Sequence, residues 1–165
     1  MSIKEEKNLQ QIDKTNLFHP ITNLKTHISE DVLILDRGEG IYVYDKQGKK
    51  YLEGLAGLWC TSLGYGVKEL GEAASEQMTK LGYSSLFTSK SHEPAILLAE
   101  KLIEMSPYEK GKVFFGNSGS DANDTQLKLY TYYNNALGNN SKKKIISRIK
   151  GYHGVTVASA SMTGL

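Results

Sequence analysis

The spacing of apolar residues changes character along the chain, and each change marks an expected element. Residues 1 to 31 are polar and hold no sustained period, although "NLFHPITNL" carries enough apolar side chains to dock as an arm. From Val32 the pattern becomes "VLILDRGEGIYVYDKQGKKYLEGL", where β-branched and aromatic residues lie between the turn signals "RGEG" and "DKQGKK". A short antiparallel meander is predicted. "GLAGLWCTSLGYG" follows, glycine-rich around a lone tryptophan, and reads as a packed loop. Leu70, Ala73, Ala74, Met78 and Leu81 then recur at helical spacing. A second helix is announced by Ser91 as N-cap, Pro94 in the first turn, and Ile96, Leu97, Ala99, Leu102 and Ile103 behind them.

Beyond "SPYEKGK" the run "VFFG" is short and apolar enough for a buried strand. A helix from about Ser120 to Leu137 comes next, and "KKIISRI" reads as another strand. Strand, helix, strand is the parallel crossover unit, so the fold class is α/β. The final "GYHGVTVASASMTGL" offers a loop and then a helix of small residues, although Val155, Thr156 and Val157 also suit a strand.

Composition narrows the picture little. With 165 residues, 39% hydrophobic and 23% charged, the chain suits one globular core. A formal charge of +2 gives no reason to expect nucleic acid or an anionic membrane as partner. The charged start lacks the apolar segment of a secretory signal and no apolar run is long enough to span a bilayer, so a cytoplasmic protein is expected. Cys60 is the only cysteine, which excludes an internal disulfide, and its neighbours Leu58 and Trp59 favour a small buried thiol. His19, His27, His92 and His153 are scattered without acidic partners at metal-ligand spacing, so no metal site is expected. The basic run "SKKKIISRIK" reads as a solvated turn before a strand.

The stretch "FFGNSGSDANDTQLK" carries more chemistry. It lies at the carboxyl end of an expected strand and the amino end of the following helix, where α/β sheets bind ligands. The first N–H groups of a helix lack internal partners and the peptide dipoles add positive charge there, which suits a phosphate. Gly119 permits close approach, and Ser118 and Ser120 add hydroxyls; an ordinary N-cap at Ser120 accounts for the same residues. No lysine follows Gly119 as a Walker loop requires, the three glycines of a dinucleotide fingerprint are missing, and Ser120 stands where a nucleophile elbow needs glycine. "GYHG" at 151 to 154 follows the next expected strand, so Tyr152 and His153 lie near the same sheet edge. A phosphate cradle beside an aromatic face and a proton-transfer group describes a site for a phosphorylated heteroaromatic ring.

Taken together, "GEGIYVYDKQGKKYLEGLAGL", "GLAGLWCTSLGYG", "SGSDANDTQLKLYTYYNNALG" and "KKKIISRIKGYHGVTVASASMTGL" resemble the amino-terminal part of a class III, fold type I, pyridoxal phosphate-dependent aminotransferase. The omega-amino acid and diamine:pyruvate branch is the one they are most similar to. The resemblance implies an incomplete fold type I chain: an amino-terminal arm over 1–31, a small-domain meander and active-site loop over 32–66, and the first part of the large-domain sheet over 67–165. It implies pyridoxal 5'-phosphate as cofactor, held by Ser118, Gly119 and Ser120, with Tyr152 stacked on its ring and His153 beside it. Trp59 and Phe87 would line the substrate pocket with Tyr152, Phe87 across a homodimer interface. Asp121 stands where the family commonly has glutamate. The Schiff-base lysine and the aspartate on the pyridine nitrogen are expected beyond Leu165, so no catalytic residue is carried over. The implied function is transfer of an amino group from an amine or omega-amino acid to a keto acid such as pyruvate, by a chain inactive alone. The alternative is a noncatalytic phosphate- or cofactor-binding module, or one half of a split enzyme.

Overall fold

The computed structural model describes the backbone of residues 3–164 and the side chains of residues 9–164. The chain forms two compact units, Met1–Ser84 and Ser85–Leu165.

The first unit opens with two helices, α1 (Ile3–Asn16) and α2 (Leu24–Ser29), where the apolar pattern indicates only an arm. In α1 the sequence "IKEEKNLQQIDKTN" is rich in straight-chain helix formers, so propensity rather than an apolar stripe makes the helix. Asn23 caps α2, its side-chain oxygen accepting from Lys25 N at 3.1 Å and Thr26 N at 3.4 Å. The Gln10 amide grips Val32 from both sides, donating to Val32 O and accepting from Val32 N, each at 2.7 Å.

The expected meander is present as an antiparallel sheet in the order β1 (Leu35–Glu39), β2 (Tyr42–Asp45), β3 (Lys50–Leu52). Val43 pairs with Tyr51 and is the one buried hydrophobic among the described residues, 6% exposed. Cross-strand cations cover the neighbouring aromatics: the Arg37 guanidinium lies 3.5 Å from the Tyr44 ring and Lys50 Nζ 3.6 Å from that of Tyr42. Asp45 closes the β2–β3 turn, accepting from Gln47 N (3.0 Å), Lys49 N (2.9 Å) and Tyr51 Oη (2.8 Å). Desolvation opposes its charge, but these donors outweigh that effect and hold the carboxyl below its ordinary value.

The glycine-rich loop is pinned to this sheet through Tyr65, which exchanges two backbone hydrogen bonds with Gly40 (3.0 and 2.8 Å). A Cβ on Gly38 would lie 2.5 Å from the Tyr65 ring, so the strand must stay bare there. Within the loop, α3 (Ala56–Trp59) is a left-handed turn, with φ of 48°, 60°, 66° and 69° along it. Each non-glycine residue there costs about 1–2 kcal/mol. Glu53 offsets part of this, accepting from Gly57 N at 2.6 Å and Leu55 N at 2.9 Å, which lowers its carboxyl pKa. Cys60, expected as a buried thiol, is exposed: it ends the left-handed turn, where its Sγ donates to Gly57 O at 2.8 Å. Helix α4 (Lys68–Leu81) follows as predicted, with Leu70 and Met78 of its apolar stripe exposed.

The second unit begins with a short 3-10 turn at Phe87–Ser89 and then α5 (Glu93–Met105). Its N-cap is His92 rather than the expected Ser91, with Pro94 in the first turn. Helices α6 (Gly119–Ala136) and α7 (Val157–Met162) complete it and pack on each other. The α/β expectation is met only in part. The two expected strands at 113–116 and 144–149 flank α6 but form no ladder, and the described residues contain no parallel sheet. The two segments do not pair with each other, and no other strand in this unit offers them N–H and C=O partners. Phe114, Ile146 and Ile149 consequently remain exposed. No helix among the described residues is long and apolar enough to cross a membrane.

Candidate functional site

The amino end of α6 is built by two reciprocal bonds. Ser118 is the N-cap: its Oγ accepts from Asp121 N at 3.1 Å, while Asp121 Oδ2 accepts from Asn117 N at 2.9 Å. This is a capping box with a short acid, which reaches the N–H one residue before the cap instead of the cap's own. The cap is therefore Ser118, not Ser120. Ala122 N donates to Ser118 O at 3.0 Å and begins the helical ladder. The amides of Gly119 and Ser120 are left without an acceptor among the described residues. A Cβ added to Gly119 meets no atom within 4 Å, and both unbonded N–H groups belong to the positive end of an 18-residue helix.

Ser120 instead serves as a latch for the next loop. Its Oγ accepts from Val155 N at 3.0 Å, and two further residues on the same face of α6 continue the seam. Asn123 Nδ2 donates to His153 O at 2.6 Å, and Asp124 Oδ1 accepts from Thr156 Oγ1 at 2.8 Å and Ser159 N at 2.9 Å. From the end of α7, Thr163 Oγ1 accepts from His153 N and donates to Gly154 O, both at 3.0 Å. Ser159 and Asn134, both polar, are buried in this unit, so its interior is held by hydrogen bonds rather than by apolar packing. Gly154 lies at the centre with φ +124°, and a Cβ there would stand 2.4 Å from Ser120 Oγ and 2.8 Å from Ser120 Cα. Only glycine lets the loop lie this close to the helix.

The seam fixes the backbone on both sides of Tyr152 and His153 against the cradle. The Tyr152 side chain is 60% exposed, with no partner among the described residues, so one ring face is free. His153 is part-buried; its Nε2 has no hydrogen-bond partner and lies 2.8 Å from where a Gly151 Cβ would be. Two unbonded amides, an uncovered aromatic face and an unsatisfied imidazole nitrogen fit a planar phosphorylated ligand such as pyridoxal phosphate. Ser118, Gly119, Ser120, Tyr152 and His153 thus fall in one locality, with Ser118 Oγ committed to the cap and Ser120 Oγ to the latch. Both hydroxyls act there as acceptors and keep an O–H to donate, beside the backbone amides. Trp59 in the first unit and Phe87 in the second are each mainly exposed, at 78% and 80%. Trp59 lies on left-handed backbone with φ 69°, and left-handed Thr88 and Ser89, φ 56° and 62°, follow Phe87.

Asn123, Asp124, Gly154, Thr156, Ser159 and Thr163 were not legible as site residues. Their one signal is spacing: Ser120, Asn123 and Asp124 share a helix face, and Thr156, Ser159 and Thr163 recur at three and four residues. On a surface helix that pattern reads as solvated.

Comparison with known proteins places these features. The model of the aminotransferase class-III family matches residues 25–165. Gamma-aminobutyrate transaminase 1, mitochondrial, of Oryza sativa subsp. indica is 54% identical over 134 residues, covering 81% of this chain and 26% of that protein. The crystal structure of the omega transaminase from Pseudomonas jessenii in complex with PMP superposes with a TM-score of 0.92 at 56% identity, covering 95% of this chain and 35% of that one. A thermostable omega transaminase with tryptophan-to-methionine, phenylalanine-to-leucine and arginine-to-leucine substitutions, engineered for asymmetric synthesis of enantiopure bulky amines, gives 0.92 at 55% identity and the same coverage. The chain spans about a third or less of the length of these relatives.

Proposed function

This chain belongs to the class III aminotransferases, and from that premise we propose that it supplies the cofactor-phosphate cradle and part of the amine pocket of an omega-type transaminase. The whole protein would move an amino group from an amine or omega-amino acid to a keto acid such as pyruvate, working as a homodimer. One observation carries the proposal: the unbonded amides of Gly119 and Ser120 open at the start of α6, beside a loop that carries the uncovered Tyr152.

Gly119 N–H and Ser120 N–H donate to the phosphate, where the helix dipole adds to two charge-assisted bonds. Tyr152 offers its ring face to the pyridine, and His153 Nε2 supplies a hydrogen-bonding group at its side. Pyridoxal phosphate, when bound, supplies the electron sink that transamination needs. The Ser120 latch and the Asp124 bonds hold these groups in register, so the chain's part is orientation. Trp59 would line the amine pocket of its own subunit, and Phe87 would serve the pocket of the dimer partner. Supporting this, the two aromatics substituted in the enzyme engineered for bulky amines stand twenty-eight residues apart, as Trp59 and Phe87 do.

The test is an equilibrium titration of the chain with pyridoxal phosphate, competed by inorganic phosphate. Binding should be noncovalent, displaced by phosphate and weakened by Gly119→Val. Undiminished binding by that variant would remove the cradle from the proposal.

A further inference from the structure

The α1–α2 hairpin gathers three groups that the cofactor site does not use. Asp13, in the last turns of α1, receives His19 Nε2 at 2.9 Å from Oδ1 and 3.1 Å from Oδ2, and His27 Nε2 at 3.0 Å from Oδ1. The rings of His19 and His27 stand 4.3 Å apart, tilted by 47°, and the three ligand atoms lie within 4.8 Å of one another. In the sequence these residues look scattered. Folding back at "NLFHPITN" brings them together.

We propose that this hairpin is a divalent-cation site, with Asp13 Oδ1, His19 Nε2 and His27 Nε2 as ligands and zinc as the ion it takes. Two imidazoles and one carboxylate are a borderline donor set that suits zinc better than calcium or magnesium. With metal–ligand bonds of about 2.0–2.1 Å, tetrahedral ligand atoms stand about 3.3–3.4 Å apart. The observed 2.9 and 3.0 Å need to widen only slightly, and each neutral imidazole binds through its Nε2 lone pair with its proton carried on Nδ1. Both helices place their carboxyl-terminal turns at the cluster, Asp13 near the end of α1 and His27 in the last turn of α2. The partial negative charge of those turns favours a cation. The cluster is preorganised by the Gln10–Val32 clamp and the Asn23 cap. His19 is the most open of the three, with a side-chain exposure of 28%, which leaves a side for water as a fourth ligand. The ion would staple the amino-terminal hairpin, a structural role separate from the cofactor cradle.

The experiment is equilibrium dialysis of the 165-residue chain, stripped with chelator, against Zn²⁺ and against Co²⁺ as a spectroscopic probe. One ion per chain is expected, with the visible bands of tetrahedral cobalt and no thiolate charge-transfer band. His19→Ala and His27→Ala should each weaken binding at least about tenfold, whereas Cys60→Ser and His92→Ala leave it unchanged. The wild-type cobalt spectrum reports the ligand set even if a histidine variant misfolds. Absence of stoichiometric binding, a thiolate band, or binding that survives both histidine substitutions would overturn the proposal.

Discussion

Replacing Gly154 by alanine should release the Tyr152 loop from α6, and the structure sets the size of the effect. The added Cβ would stand 2.4 Å from Ser120 Oγ, 2.6 Å from Ser159 Oγ and 2.8 Å from Ser120 Cα. The hydroxyls are both engaged, Ser120 with Val155 N and Ser159 with Thr156, and the Cα belongs to the first turn of a helix. Holding alanine at φ +124° costs about 1–3 kcal/mol. Overpacking adds about 1–3 kcal/mol, and the Val155–Ser120 hydrogen bond, worth about 0.5–1.5 kcal/mol, is lost as the loop moves away. Together these come to about 2.5–7.5 kcal/mol, comparable with what the seam's hydrogen bonds supply at about 0.5–1.5 kcal/mol each. Hydrogen exchange reads it directly, since Val155 N–H is protected by Ser120 Oγ. That amide should exchange on the order of a hundredfold faster or more, at about tenfold per 1.4 kcal/mol. Gly119→Ala is the control: its Cβ meets nothing within 4 Å, so the same amide should keep its protection while affinity for pyridoxal phosphate falls. Unchanged Val155 exchange in Gly154→Ala would refute the claim that this close approach holds the loop.

The meander should lose stability in acid because the Asp45 carboxyl takes its proton at lower pH folded than unfolded. Its contribution is complete above the ordinary value of 3.8 and disappears as pH falls through the folded value; amide exchange in β2 and β3 with pH should show this, and Asp45→Asn should flatten it. In the whole enzyme, Trp59→Ala should change kcat/KM among amines of different bulk and leave the affinity for pyridoxal phosphate unaltered; equal loss for all amines would count against a pocket role. The isolated chain should sediment as associated species, since Phe114, Ile146, Ile149 and the apolar faces of α4 and α5 are uncovered, and a monodisperse monomer would contradict this. In hydrogen exchange of the chain, residues 113–116 and 144–149 should exchange faster than α6, because no ladder protects their amides.

Local rules determined much of this protein from sequence alone. The meander follows from alternation between two turn signals, α4 and α5 from apolar spacing, and the start of α6 from a glycine between serines after an apolar run. The helix amino end on which the proposed cradle rests was legible for the same reason, being a property of a few consecutive residues. The resemblance to class III aminotransferases was carried by order and identity of blocks, and needed no contacts. What joins distant residues lay outside those rules. Ser120 reads as a cap but latches a loop 35 residues away, and Asp13, His19 and His27 meet only because the chain folds back between α1 and α2. The strands at 113–116 and 144–149 show the converse. Their apolar sequence is suited to a parallel sheet, yet a strand exists only when a partner accepts its hydrogen bonds, and the described residues contain none for them.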